Sequence, residues 1–347
     1  MAIPEQPTIT TETFREMLAA LPRAQLAHVP TPLDNCPRLT AHLGGPDISI
    51  KRDDLTGLAL GGNKTRNLEF LFGEAIAQGA DCIITGAYPQ SNQCRQTAAA
   101  AAKLGLECFL VLGALKHRAD VQGNLLLDHL FGAHVEVAPD ADDVGVQAVI
   151  DERVESLKAQ GRRPFRFTNK YPALAVKSVA GYLSGMLELH EQLQHLPEQP
   201  TTIVVTSGSG STHTGIAATV KALGLPYHVT GISIRPQNPP QRERIAALSQ
   251  TAAHYYGIPC ALTADEVDVR EEYFGAGHGI TTAAGREAVH TVARTEGILL
   301  DLTYTGKAMS GLIDLVRNGT FKPGERVVFV HTGGIPSLFA HAEEVLA

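Results

Sequence analysis

Short apolar runs that alternate with helical patterns constrain the fold of this chain more than any other feature of its sequence. The runs are rich in β-branched residues and lie at 82–85, 108–112, 202–206, 228–233 and 326–331. Strands that are apolar on both faces are typical of parallel sheets, in which helices cover both sides. The sequence therefore predicts an α/β fold with parallel sheets.

The ends of two helices can also be predicted. An alanine-rich pattern over 92–104 stops at Gly105, and a second pattern over 212–223 stops at Gly224. Glycine is common after a helix C-terminus because it adopts left-handed backbone angles without strain. With 347 residues, the chain exceeds the usual size of one domain, so either one large unit or two lobes around a cleft is expected.

Charge and composition exclude several classes of protein. The formal net charge is -7, and no dense run of lysine and arginine suggests a nucleic acid partner. No stretch approaches the roughly 20 apolar residues that span a bilayer, and acidic residues fall within 1–20, where a signal peptide needs an apolar core. We expect no membrane association and a cytoplasmic location.

Metal binding is not expected either. The chain has five cysteines, an odd number without a C-x-x-C pair, and its 14 histidines form no H-E-x-x-H or H-x-H spacing. These are the spacings typical of disulfide frameworks and of zinc sites.

The segment 51–66 offers one amine for covalent chemistry. Gly61 and Gly62 permit tight turns after a short strand at 48–51, and Asn63 and Lys64 then open a helix. The positive end of the helix dipole and partial burial both lower the pKa of an amine at this position. Lys64 is therefore a candidate imine-forming lysine. An exposed lysine at the start of a helix would explain the same pattern.

The segment 206–215 has the composition of a phosphate-binding loop. It follows an apolar run, precedes a helix and supplies small and hydroxyl-bearing residues whose main-chain N–H groups can approach an anion. It lacks the lysine of a Walker loop and the dinucleotide fingerprint, so nucleotide binding is disfavoured. A loop that only makes a turn is the alternative.

A third segment, 90–96, also lies between a strand and a helix. Ser91 and Asn92 place polar side chains and main-chain N–H groups at a helix start, which suits a substrate carboxylate. Taken alone, the same residues are explained by helix capping. Cys94 falls inside the helical pattern without an identified base, so we interpret it as a packing residue.

Taken in order, six segments closely resemble the D-cysteine desulfhydrase and 1-aminocyclopropane-1-carboxylate deaminase family. They are 50–54, 61–66, 90–93, 206–215, 304–307 and 331–334, and the resemblance runs from about residue 26 to 339. It implies the fold of the tryptophan synthase β chain, with two parallel-sheet lobes and pyridoxal 5'-phosphate in the cleft between them. It also implies a homodimer, a large cofactor-binding domain of 1–66 plus 181–347, and a small substrate-side domain of 67–180.

The resemblance also implies roles for individual residues. Lys64 matches the Schiff-base lysine, and Asn92 matches the hydrogen-bond partner of the cofactor's ring oxygen. Tyr304 matches a tyrosine near the reacting carbons, and His278, a further catalytic candidate, stands where the family usually has a tyrosine near the substrate. The remaining implied contacts are those of Ser207, Gly208, Ser209, Gly210, Ser211 and Thr212 with the phosphate, of Thr332 with the ring nitrogen, and of Ser91, Asn92 and Gln93 with the substrate.

The implied reaction is a β-elimination on a small amino acid, which with D-cysteine gives pyruvate, ammonia and sulfide. The cyclopropane deaminases carry Glu and Leu where this chain has Thr305 and Thr332, which favours the desulfhydrase side. An L-cysteate sulfo-lyase, a deaminase and a catalytically weak cofactor-binding protein are the alternatives. Lys170 and Tyr171, in a segment that departs from the family pattern, are candidates to face an additional anionic group of a substrate.

Overall fold

Two β-sheets organise the chain. The computed structural model describes residues 8–113, 121–138, 143–167 and 175–347, except for the side chain of Asp143. The larger sheet has the order β1-β2-β10-β7-β8-β9, and the smaller sheet has the order β5-β4-β3-β6. The strands are β1 Leu33–Asn35, β2 Asp47–Lys51, β3 Cys82–Ala87, β4 Glu107–Gly113, β5 His134–Ala138, β6 Pro164–Arg166, β7 Thr201–Ser207, β8 Tyr227–Ser233, β9 Asp268–Arg270 and β10 Arg326–Val330.

Helices connect the strands and cover both sheets, as the predicted α/β fold requires. In chain order, the described helices are α1 Thr11–Ala19, α2 Pro37–Leu43, α3 Lys64–Ala77, α4 Asn92–Leu104, α5 Gly123–Leu130, α6 Asp143–Ala159, α7 Ala180–Leu193, α8 Ser211–Ala222, α9 Gln241–Tyr256, α10 Ala283–Glu296, α11 Thr305–Arg317, α12 Ile335–Phe339 and α13 Ala342–Leu346. None of these helices has the length and apolar character needed to cross a membrane.

The strand prediction needs one correction. All pairings in the smaller sheet are parallel, but β1 pairs antiparallel with β2 at the edge of the larger sheet, which is therefore mixed. Only residues 36–46 join β1 to β2, fewer than the dozen or more that a parallel crossover usually needs. The other pairings of the larger sheet are parallel.

The central strands of the larger sheet are buried on both faces. Val327, Val328 and Phe329 of β10 have no exposed surface, and neither do Ile203 and Val204 of β7. Their side chains divide between two hydrophobic clusters, one on each side of the sheet. This explains why these runs are apolar throughout rather than alternating.

A buried ionic network, defined by Lys51, Asp53, Arg66, Tyr182 and Glu188, fixes the start of α3 against the larger sheet. The Arg66 guanidinium forms ion pairs of 2.8 Å with both Asp53 and Glu188. Lys51 Nζ lies 2.5 Å from Glu188, and the Tyr182 hydroxyl donates to Asp53 at 2.6 Å. Burial opposes the charge of Arg66, but the two carboxylates raise its pKa well above the ordinary value.

Candidate active site

A cavity of about 570 Å³ lies where the carboxyl ends of β3, β7 and β10 lead into their following loops. Ligands of open α/β sheets bind at such strand ends. The residues predicted from the sequence that line this cavity are Lys64, Ser91, Asn92, Gln93, Gly208, Ser209, Gly210, Thr212, His278, Tyr304 and Thr332. The structure does not bring Ser207 and Ser211 into the described wall, and Lys170 and Tyr171 lie outside the described residues.

Lys64 is the first residue of α3 and follows a glycine turn. Gly61 and Gly62 have φ angles of 68° and 127°, which favour glycine. A Cβ on Gly62 would also lie 2.7 Å from Gln96 Nε2, so the close approach of the two segments depends on this glycine. No described residue forms a hydrogen bond or an ion pair with Lys64 Nζ, and burial lowers the pKa of this amine to about 8.

The loop between β7 and α8 has the geometry of an anion cradle. Gly210 takes a left-handed φ of 97°, and α8 starts at the next residue, so its free main-chain N–H groups point towards the cavity end. Thr212 is held in place by Asn63, whose Nδ2 donates to Thr212 Oγ1 at 3.0 Å. Asn63 lines the cavity beside Lys64 and was not predicted.

Ser207 supports this loop from beneath. Its Oγ accepts a hydrogen bond from Gln241 Nε2 at 2.9 Å and lies 3.2 Å from His213 Nδ1. Gln241 Nε2 also donates to the carbonyl of Gly208 at 3.1 Å. Burial lowers the pKa of His213 to about 4, so this imidazole is neutral. The side chain of Ser207 therefore positions the cradle rather than lining it.

The loop between β3 and α4 presents a second helix start. Ser91 caps α4, because its Oγ accepts from the main-chain N–H of Cys94 at 3.2 Å. Asn92 Oδ1 accepts from Arg95 Nη1 at 2.9 Å and from Asn124 Nδ2 at 3.0 Å. Burial raises the pKa of the Cys94 thiol well above its ordinary value, which agrees with a packing role.

Three rings meet on one wall of the cavity. His278 Nε2 lies 3.2 Å from the Tyr304 hydroxyl, with the two ring centroids 5.6 Å apart. The ring of Tyr88 lies 5.7 Å from that of His278 on another side. Because an imidazole and a phenol in hydrogen-bond contact can exchange a proton, this pair is suited to acid–base chemistry.

Buried polar groups hold these rings in place. Lys307 Nζ donates to the carbonyls of Phe274 and Gly277, which fixes the loop that carries His278. Asp301 accepts from the main-chain N–H of Tyr304 at 2.9 Å and from the hydroxyl of Thr305 at 2.7 Å. Thr305 thus stabilises a turn outside the described wall, whereas Thr332 lies in it.

Sequence reasoning missed several wall residues. Tyr88 and Gln90 come after β3, and Arg235 comes two residues after the end of β8, so the rule that ligands bind at strand ends would have indicated all three. His341 also lines the cavity from the segment between α12 and α13. No signal in the sequence marks His341, because its position depends on how the C-terminal helices pack.

The wall has the chemistry of a site for anions. No aspartate or glutamate occurs among the described residues that line it, although acidic residues outnumber basic ones in the chain, 36 to 29. The donors are amides, hydroxyls, two helix starts, the guanidinium of Arg235, the imidazoles of His278 and His341, and the amine of Lys64. A phosphate at the start of α8, a carboxylate at the start of α4 and an aldehyde at Lys64 fit this set, as pyridoxal phosphate with an amino acid requires.

Comparisons with known proteins agree with this chemistry. A family model described as pyridoxal-phosphate dependent enzyme matches residues 24–333. A D-cysteine desulfhydrase from Klebsiella pneumoniae subsp. pneumoniae is 40% identical over 332 residues, covering 93% of this chain and 97% of the relative. A D-cysteine desulfhydrase from Salmonella newport is 38% identical, covering 94% and 98%.

Solved structures give the same result for the fold. The crystal structure of an ACC deaminase homologue superimposes with a TM-score of 0.86 at 32% identity, covering 96% of this chain and 98% of that chain. A threonine deaminase from Solanum lycopersicum has a TM-score of 0.64 at 17% identity, covering 100% and 91%. The second likeness concerns the fold alone.

Proposed function

The chain belongs to the pyridoxal-phosphate dependent enzymes, and we propose that it is a lyase acting on D-cysteine or a closely related β-substituted alanine. In this reaction the substrate loses its α-proton and its sulfide group, and the remainder takes up water to give pyruvate and ammonia. Identity of about 40% to curated desulfhydrases over nearly the whole chain supports this proposal.

The observation that carries the proposal is the position of Lys64. Its amine faces the cavity without a partner among the described residues, close to two helix starts and away from any acidic wall residue. Lys64 would hold the cofactor covalently, the cradle around Gly210 and Thr212 would hold its phosphate, and Asn92 and Thr332 would contact its ring. When bound, the cofactor withdraws electrons from the substrate's α-carbon.

The remaining steps fall to side chains of the chain itself. Because the pKa of Lys64 lies at about 8, its amine can both accept and return a proton near neutral pH. Ser91 and the start of α4 would bind the substrate carboxylate. The hydrogen-bonded pair of His278 and Tyr304, which also lines the cavity, would hold a proton for the leaving group.

Thr332 bears on the choice between relatives. A hydroxyl at the ring nitrogen favours a neutral ring and therefore a weaker electron sink than a carboxylate would give. Elimination of a good leaving group requires less electron withdrawal by the cofactor ring than opening a cyclopropane does. Thr332 thus favours the lyase over a cyclopropane deaminase, even though a homologue of that deaminase shares the fold.

An L-cysteate sulfo-lyase is the second candidate. Arg235, His278 and His341 give the cavity one further cation and two imidazoles, beyond the groups assigned to a phosphate and a carboxylate. A sulfonate would satisfy such groups by charge-assisted hydrogen bonds.

The proposal extends to organisation and location. A domain of 1–66 plus 181–347 and a domain of 67–180 are supported by the two sheets, since each sheet takes its strands from one of these parts. A cytoplasmic location is supported by five unpaired cysteines, which are typical of reducing compartments. A homodimer follows from the family resemblance, and light scattering would test it.

Cofactor attachment is the first test. Purified protein mixed with pyridoxal phosphate should absorb at about 410–430 nm, and Lys64→Ala should lose both this band and about 1,000-fold or more of the activity. Lys103→Ala, at an exposed position of α4, is the matched control and should behave as the wild type. A protein that stays colourless with added cofactor would contradict the enzyme class.

A substrate panel is the second test. D-cysteine, 3-chloro-D-alanine, L-cysteate, D-serine and 1-aminocyclopropane-1-carboxylate are compared by pyruvate release, with sulfide measured for D-cysteine. Release from D-cysteine above the other natural compounds supports the first candidate. Faster turnover of L-cysteate, reduced by Arg235→Met, supports the second candidate instead.

A further inference from the structure

Arg95 is a buried arginine that touches both sides of the proposed cofactor site without lining it. It lies in α4, one turn after Asn92, and none of its surface is exposed. Its hydrogen bonds run from Nη1 to Asn92 Oδ1 at 2.9 Å and to Asn124 Oδ1 at 2.7 Å, and from Nη2 to Gly61 O at 2.6 Å. Arg95 thus joins the loop that carries Asn92 to the turn that presents Lys64.

The chemistry of these partners fixes the orientation of the Asn92 carboxamide. A guanidinium only donates hydrogen bonds, so the oxygen of Asn92 must face Arg95. Asn124 Nδ2 donates to the same oxygen at 3.0 Å and to the carbonyl of Gln90 at 2.8 Å, and a carbonyl only accepts. Both carboxamides therefore have one possible orientation, and the Nδ2 group of Asn92 is the part that remains for the cavity.

The charge of Arg95 is not neutralised by a neighbouring carboxylate. No described acidic residue lies within ion-pair distance of its guanidinium, and its described acceptors are a carbonyl and two carboxamide oxygens. Asp128 and Asp301 act on it only from a distance: both oxygens of Asp128 lack a described hydrogen-bond partner, and Asp301 accepts hydrogen bonds from the turn at 303–305. Burial raises the pKa of Asp128 to about 8, so this carboxyl is largely protonated at neutral pH.

We propose that Arg95 is a positioning residue, which directs the amide N–H of Asn92 at the ring oxygen of the cofactor and ties it to the Lys64 turn through Gly61. The inference rests on the proposed function, since the anionic ring oxygen is the group that Asn92 would meet. The positive charge of Arg95 strengthens this contact, because it polarises the carboxamide in a site of low dielectric constant.

The inference predicts a change in the cofactor itself. The Asn92 amide, which Arg95 orients and polarises, opposes a proton on the bond between the cofactor and Lys64. Removing Arg95 therefore raises the pH at which the visible band of the bound cofactor changes. It also weakens cofactor binding, because the Asn92 carboxamide can then turn its oxygen towards the ring.

The experiment is a double-mutant cycle on Asn92 and Arg95, read by spectroscopic titration of the cofactor-loaded protein. Arg95→Met should raise the pH midpoint of the band by about one unit and the Kd for the cofactor about tenfold. In the background of Asn92→Ala, the same replacement should change both quantities much less, since Arg95 acts through Asn92.

Equal shifts with and without Asn92 would overturn the positioning role, as would an unchanged midpoint in Arg95→Met. If Arg95→Met does not fold, Arg95→Lys replaces it in the same cycle, because lysine offers one nitrogen where the guanidinium directs Nη1 to Asn92 and Nη2 to Gly61. A wild-type protein without the band would refute the proposed function, whereas a normal band with additive effects would refute this inference alone.

Discussion

Arg66 and Arg95 are both buried beside the proposed cofactor site, yet their surroundings differ in charge. Arg66 forms ion pairs with Asp53 and Glu188, whereas the described acceptors of Arg95 are neutral oxygens. Carboxylates raise the pKa of Arg66, while burial lowers the pKa of Arg95 to about 10. The comparison separates an arginine that carboxylates neutralise from one that meets only neutral oxygens, and the proposal assigns the charge of the second to an anionic ligand.

The largest loss of folding stability is expected when Arg66, the arginine neutralised by carboxylates, is replaced. Arg66→Met leaves the buried carboxylate of Asp53 without its main partner and the half-buried Glu188 with Lys51 alone, which costs about 3–5 kcal/mol. Urea unfolding of the apoprotein at pH 7 measures this loss. The control is Arg15→Met, because Arg15 forms an exposed pair with Glu191, and such pairs contribute about 1 kcal/mol or less. A loss below 1 kcal/mol for Arg66→Met would break the comparison.

The protonation state of Asp128 decides whether the charge of Arg95 has a counter-ion nearby. The folded protein keeps a proton on Asp128 up to about pH 8, while the unfolded chain loses it near pH 4. This carboxyl therefore makes the folded state less stable as pH rises from about 4 to 8, and adds no further change above that window.

Asp128→Asn removes this pH dependence. Relative to the wild type, the variant should gain stability progressively from pH 4 to pH 8, by about 5 kcal/mol in all, because one pKa unit corresponds to about 1.4 kcal/mol. Unfolding curves at several pH values measure the difference. If the variant is instead less stable than the wild type at pH 7, an ionised Asp128 neutralises Arg95 and the two arginines do not differ as described.

Lys64 extends the comparison to a third cation, which is half-buried because it lines the cavity. Desolvation lowers its pKa from 10.5 to about 8, so below pH 8 the folded apoprotein carries an unfavourable, poorly solvated charge. Lys64→Met should therefore be more stable than the wild type by roughly 1–3 kcal/mol at pH 7. The gain should disappear as pH rises from 8 to 10.5, and Lys103→Met should show none of it.

The smallest predicted effect separates the two arginines by ligand. Saturating pyridoxal phosphate stabilises the folded wild type, and a tenfold weaker Kd in Arg95→Met reduces this gain by about 1.4 kcal/mol. Arg66→Met removes an arginine with no proposed contact to the cofactor site, so this variant should be stabilised by pyridoxal phosphate as much as the wild type. Differential scanning fluorimetry with and without cofactor tests this, and equal gains in wild type and Arg95→Met would contradict it.

Local features of the fold were predictable from the sequence. The bounds of α4 agree with the prediction over 92–104, and α8 differs from the prediction by one residue at each end. Apolar runs located the central strands because those strands are buried on both faces. The short strands β1, β5, β6 and β9 were missed, since they lie at or near sheet edges and bury fewer side chains.

The site was less predictable, because its contacts join distant segments. Glycine turns and helix starts marked Lys64 and Ser91 in the sequence. Arg95 carries no such mark: it looks like an ordinary helical residue until folding brings Gly61 and Asn124 against it. The inward position of Ser207, at the end of β7 and beneath the cradle, likewise depends on Gln241, which begins α9.

Chemical reduction of the cofactor-loaded protein, followed by peptide mass mapping, tests the assignment of Lys64 most directly. Lys307 is the informative rival, because burial also lowers its pKa to about 8, but its amine already donates to the carbonyls of Phe274 and Gly277. We predict a pyridoxyl phosphate group on Lys64 and none on Lys307. A group on Lys307, or none on Lys64, would contradict the assignment.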